Sequence, residues 1–147
     1  MEIDVDKLKQ DWAGATFDTV EFEIKPEDVR DFALSCGEVA PHYTDPEHPD
    51  FRAVPNFTSR YVGRRVLPDN FPRFSQGFGF DAGKCVTVLG PIHVGDRVTA
   101  KSQIHDIYTK TGRSGTMLFI VHRMEFSNQR GEPVSIVDWR MVQRAGK

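Results

Sequence analysis

The feature that most constrains the fold lies in the C-terminal third of the chain. Arg97–Tyr108, Met117–Ser127 and Val134–Gln143 read as three strands separated only by the turns Gly112–Gly115 and Asn128–Gly131. Parallel neighbours need a crossover of a dozen or more residues, usually a helix, and no helix alternates with these strands. They therefore predict an antiparallel meander. Val98, Ala100, Ser102 and Ile104 alternate along the first strand, and the phase then slips at Ile107, as a β-bulge would make it do.

Upstream, Thr19–Lys25 also alternates, with Val20, Phe22 and Ile24 on one side and Glu21 and Glu23 on the other, which predicts a half-buried strand. It runs into Pro26, Glu27 and Asp28, a proline and two acids suited to a first helical turn. Val29, Phe32, Ala33 and Cys36 follow at i, i+3, i+4 and i+7, with Gly37 placed as the C-cap, so the helix should end at Cys36 with that thiol in the core. Glu38–Val54 holds Pro41, Pro46 and Pro49 and predicts a long loop containing at most short helical turns. Pro55–Leu67 is expected to be a second helix, with Phe57, Tyr61, Val62 and Val66 as its apolar members and Pro68 ending it. Lys84–Leu89 predicts a short strand broken by Gly90 and Pro91. The element order is β-α-loop-α-β-β-β-β. That makes the chain an α+β protein of one domain over residues 1–147, a curved antiparallel sheet with helices on one side.

Several functions are disfavoured. The net charge of −2 lacks the excess of Lys and Arg that nucleic acids and anionic membranes require. No apolar run approaches the roughly 20 residues of a membrane helix. The N-terminus is acidic and polar, unlike a secretory leader, and Cys36 and Cys85 are too few for a disulfide framework, so a cytoplasmic location is expected. Gly77, Gly79, Gly83 and Lys84 have neither dinucleotide nor P-loop spacing. His42, His48, His93, His105 and His122 show no zinc spacing, so neither metal nor cofactor is expected. His105 and His122 are expected on a sheet face or at the surface. No Gly-x-Ser-x-Gly elbow is present.

What remains is the loop from Cys36 to His48, where Glu38, His42 and Tyr43 crowd beside stiffening prolines. Such rigid loops commonly carry acid–base chemistry, although ordinary loop polarity explains the same residues. From here the chain resembles the MaoC-like hydratase/dehydratase group, and more narrowly its N-terminal, FAS1-like dehydratase domains. The resembling residues are Phe32-Ala33, Gly37 to Glu47, Ala53 to Pro55, Leu89 to Asp96, Lys110 to Gly115 and Asn128 to Glu132.

The resemblance implies a hot-dog fold, a sheet wrapped around a central helix, here by position Pro55–Leu67. It also implies reversible hydration of a 2-enoyl thioester of CoA or acyl carrier protein. In active members an Asp and a His hold the water, and a backbone N–H beside the helix polarises the carbonyl. The active pattern is Gly-Asp-x-Asn-Pro-x-His-x-Asp. Gly37, Pro41 and Asp45 match it, while Glu38 stands for the catalytic Asp, Ala40 for Asn and Tyr43 for His. A tyrosine, with a reference pKa of about 10, is a poor base at neutral pH. It is what the non-catalytic N-terminal halves carry at this position.

Glu38, His42 and Tyr43 are thus the catalytic candidates, and Asp45, Pro55, Asn56, Arg64 and Arg65 the substrate-binding ones. Arg60 and Arg73 also fall near the expected second helix, where the arginines could meet CoA phosphates or form a solvated helix end. Three functions follow: a subunit of a heteromeric hydratase whose partner hot-dog chain supplies Asp and His, a self-sufficient homo-oligomer using Glu38 with His42 or Tyr43, or a non-catalytic acyl-thioester binding or scaffold subunit. A hot-dog thioesterase is the weaker fourth. The last strand sets Trp139 and Met141 on one face and Ile136 and Val142 on the other. One of these faces should pack on the helix, and the other should meet a neighbouring subunit or the N-terminal segment containing Trp12.

Overall fold

The computed structural model describes residues 3–74 and 79–144, so Gly77 of the glycine-rich stretch lies outside the described residues. Along the chain run α1 (Val5–Trp12), β1 (Thr16–Glu23), α2 (Pro26–Ser35), the single turn α3 (Pro41–Thr44) and a 3-10 turn (Phe57–Arg60). The strands β2 (Gly79–Val88), β3 (Arg97–Gly112), β4 (Gly115–Ser127) and β5 (Pro133–Arg144) follow. The five strands form one antiparallel sheet in the order β1-β3-β4-β5-β2. The meander is as the short turns require. The register shift on β3 falls between Ile104 and Asp106, which returns Ile107 to the buried face.

The helix packed into the sheet is α2. Its Val29 and Ala33 are fully buried among Ile24, Phe57, Val98 and Phe126, and Phe32 meets Phe57 edge-on with ring centroids 5.5 Å apart. Burying a side chain such as Val29 or Phe57 contributes roughly 1.5–3 kcal/mol. The helix ends one residue earlier than the apolar spacing suggests. Cys36 is the C-cap, followed by Gly37 at φ +77°, and its thiol is exposed instead of entering the core.

The expected helix over Pro55–Leu67 is absent, and with it the central-helix assignment to that segment. Only the 3-10 turn forms. Tyr61 is already extended, Gly63 adopts φ +80°, and the amides of Arg64 and Arg65 donate to the Asp18 carboxylate instead of to helical carbonyls. The apolar residues still do their work: Phe57 is fully buried and Tyr61 stacks on Phe22 with centroids 4.0 Å apart.

A second core lies on the same side of the sheet, where Ile104, Ile107, Leu118 and Ile120 are covered by Leu8 and Phe71. Leu8 comes from α1, a helix that was not expected. Its signal was present, since Asp4 accepts from the Lys7 amide as an N-cap and Val5, Leu8 and Trp12 share a face. Trp12 and Met141 both pack on this cluster, so α1 covers Met141's face of β5. Trp139 sits opposite His122 on that same side.

Candidate functional site

Gly37 turns the chain out of α2, and the Glu38 amide closes the turn on the Ala33 carbonyl at 3.0 Å. Glu38 then folds its carboxylate back on its own loop: Oε1 accepts from the amides of Ala40 (3.0 Å) and Val39 (2.9 Å). Those two bonds, Ala40's first, hold its pKa below the ordinary carboxylate range against the desolvation that would raise it, and the charge of His42 adds a smaller downward pull. Pro41 opens α3, which carries His42 and Tyr43. Their rings lie 4.0 Å apart between centroids, and His48 stands 6.2 Å from His42. Asp45 caps the following turn by accepting from the Glu47 amide at 2.9 Å.

Beside the loop is a cleft of about 410 Å³. It is lined by Tyr43, Arg52, Pro55, Val88 to Pro91 and Ser135. Backbone bonds fix its walls: the Arg52 amide donates to the His42 carbonyl and the Ala53 amide to the Ile92 carbonyl, both at 2.9 Å. Leu89 and Gly90 both donate to the Val134 carbonyl. The Ser135 hydroxyl is 2.7 Å from that of Thr58 in a buried pair.

Of the residues singled out in the sequence, Tyr43 and Pro55 line this cleft. Glu38 and His42 are on the adjoining loop, Asp45 is turned to its own backbone, and Asn56 lies 3.9 Å from the Cys36 sulfur. Arg64 and Arg65 are elsewhere. They flank Asp18 in a separate surface cleft with Thr16 and Thr19, where Arg64 bonds the Thr19 carbonyl and Arg65 pairs with Asp69 at 3.0 Å. Arg60 pairs with Asp28 at 3.4 Å and lies over the Phe57 and Tyr61 rings. Arg52 was missed. The signal was a single charge set among Phe51, Ala53 and Val54.

His105 is exposed as expected, but His122 is fully buried on β4, between Phe17 and Trp139. Among the described residues neither of its ring nitrogens has a hydrogen-bond partner of good geometry. Burial, and next the positive charge of Lys84, push its pKa down to about 4, with Asp18 and the Val66 backbone opposing more weakly. Among the described residues no three His, Cys, Asp or Glu side chains converge as metal ligands. No helix there is long and apolar enough to cross a membrane.

With this geometry in place, comparison with known proteins is informative. Residues 11–137 match the family described as the FAS1-like dehydratase domain region. A UPF0336 protein of Streptomyces coelicolor is 29% identical over 157 aligned positions, covering 95% of this chain and 97% of the relative. The fold is shared with the Mycobacterium tuberculosis HadBC complex, a 3R-hydroxyacyl-ACP dehydratase (TM-score 0.65, 19% identity, 90% of this chain and 93% of that one). It is also shared with a MaoC-like dehydratase of Phytophthora capsici (TM-score 0.68, 21% identity, 97% and 49%). These likenesses establish a hot-dog fold.

Proposed function

Because the chain belongs to the FAS1-like dehydratase domain family of hot-dog proteins, we propose that it is the structural half of a 2-enoyl-thioester hydratase/dehydratase. In this reading it shapes the thioester cleft, and a second hot-dog chain supplies the Asp and His that handle the water. The observation that carries the reading is the state of the loop. The Glu38 carboxylate accepts from the Val39 and Ala40 amides, and in the sequence pattern of active members Glu38 takes the place of the catalytic Asp and Tyr43 that of the His. A carboxylate stabilised by two amides is a weaker base than a free one, and no side chain bonds it to His42 or Tyr43 as an acid–base pair requires.

Two further features support a partner. Strand β1 is a charged edge, carrying the exposed Glu21 and Glu23, the kind of edge that resists pairing. The other edge strand, β2, carries Asp81 and Lys84 at a register shift, but both charges are engaged within the protein, Asp81 by the Trp139 indole and Lys84 by the Ser59 and Tyr61 carbonyls, and the rest of its side chains are uncharged. Phe80 and Val88 are 59% and 52% exposed, Leu89 follows at 48%, and among the described residues nothing pairs with the far side of β2. The exposed apolar side chains of β2 thus make that edge the one suited to a second sheet. The HadBC neighbour is itself a complex, which agrees with this assignment.

If the chemistry belongs to the partner, Glu38→Gln and His42→Ala will each leave enoyl-thioester hydration by the assembled pair within about threefold of the parent, as expected for groups outside the transition state. A loss on the order of 100-fold or more for either variant, with the pair still assembled in sedimentation, would place the acid–base work on this loop and favour the self-sufficient homo-oligomer.

A further inference from the structure

We infer that Arg52 is the anion-recognition residue of the cleft and that it takes the phosphate of a phosphopantetheine arm. The assignment rests on the acyl-thioester reading above and adds which residue of this chain meets the charged part of the ligand. Among the described residues Arg52 is the only charged one lining the cleft; its other walls are apolar side chains, Tyr43, Ser135 and backbone. Its Cα is held firmly. The amide donates to the His42 carbonyl, and the residue forms an isolated antiparallel bridge with His93. The side chain is not held in the same way.

The contrast with other arginines of the chain is direct. The Nε of Arg123 donates to Asp138 at 2.7 Å, that of Arg97 to Glu21 at 3.1 Å and that of Arg130 to Glu132 at 3.0 Å. Among the described residues the Nε of Arg52 is buried without a hydrogen-bond partner, and Asp50 reaches only Nη2, at 3.5 Å. A charge-assisted bond of good geometry is shorter, about 2.7–2.9 Å. A buried donor without an acceptor is costly, and native chains tolerate few of them outside functional sites. An incoming phosphate would give the planar guanidinium two non-bridging oxygens to bond as a pair, which Asp50 does not provide. Of the other arginines near the site in sequence, Arg64 donates to the Thr19 carbonyl at 2.9 Å and Arg65 pairs with Asp69 at 3.0 Å, while Arg60, 3.4 Å from Asp28, does not line the cleft.

The test compares crotonyl-phosphopantetheine with crotonyl-pantetheine, which lacks only the phosphate, binding the full chain by calorimetry. The parent is expected to prefer the phosphorylated probe by roughly 10- to 100-fold, the range of a hydrogen bond to a charged group. Arg52→Gln should bind both probes alike, at the affinity the parent shows for crotonyl-pantetheine, with an unchanged melting curve; Arg52→Lys should recover part of the preference. Equal binding of the two probes by the parent, or a preference that survives in Arg52→Gln, would overturn the assignment while leaving the acyl-thioester reading in place. Binding of neither probe would overturn both. A free acyl carboxylate that binds through Arg52 when the phosphorylated probe does not would reassign the residue to the acyl end.

Discussion

Between pH 6.5 and pH 4 the protein is expected to lose about 3 kcal/mol of folding stability through His122 alone. The imidazole is fully buried, faces Phe17 and Trp139, and its pKa is pushed down from 6.5 to about 4. The unfolded chain takes up a proton at His122 once the pH falls below about 6.5, while the folded chain does not until about 4. Over that window the unfolded state binds more protons, so stability rises with pH and falls on acidification. His122→Leu removes both the titration and two unpartnered buried nitrogens without changing the volume much. Its denaturant midpoint should be at least that of the parent at pH 7, and its acid slope should be flatter by the full amount. An unchanged slope would mean that His122 is hydrated or bonded in solution.

The second large effect is expected from Asp18→Ala, a loss of about 3 kcal/mol at neutral pH. Asp18 is buried on β1, and one oxygen, Oδ2, accepts from the amides of Arg64 (2.8 Å) and Arg65 (3.1 Å). Those bonds fasten the segment after the 3-10 turn to one edge of the sheet. Lys84 fastens the turn's end to the opposite edge, its ammonium donating to the carbonyls of Ser59 (2.7 Å) and Tyr61 (3.1 Å). The fit at Asp18 is close, since a Cβ on Gly63 would stand 3.0 Å from Oδ2. Removing the carboxylate leaves two amides without an acceptor, and an alanine methyl cannot replace it. Burial raises the Asp18 pKa, but the Arg64 and Arg65 amides and the Arg64 charge outweigh it and leave it below 3.8. Its contribution is therefore present above that value and is lost only as the pH falls beneath it, which separates it from the His122 window. A urea titration at pH 7 measures the loss, and a change under 1 kcal/mol would contradict the clasp.

The sheet was legible because its signals are local. Period-2 alternation, a phase slip and two glycine turns set three strands and their antiparallel sense, and Pro26 with Gly37 bracketed α2. The segment after Pro55 was misread for a reason that no local pattern shows. Its amides find a better acceptor, Asp18, that is 46 residues away in sequence. The same holds at the site. Glu38, His42 and Tyr43 announce themselves by residue type, but that the Glu38 carboxylate turns onto its own amides is a matter of geometry. Arg52 stood out in composition only as one charge in an apolar run. His122 looked like any strand histidine, because its burial depends on Phe17 and Trp139, which come from two other strands.

The most direct test of the central claim is enoyl-thioester hydration by the purified chain, alone and after assembly with a hot-dog chain that carries an intact Asp and His loop, followed by the loss of enoyl absorbance. The structural-half account predicts no turnover above the buffer rate for the chain alone and clear turnover for the pair. Turnover by the chain alone, abolished by His42→Ala, would contradict it and make this loop a complete active site.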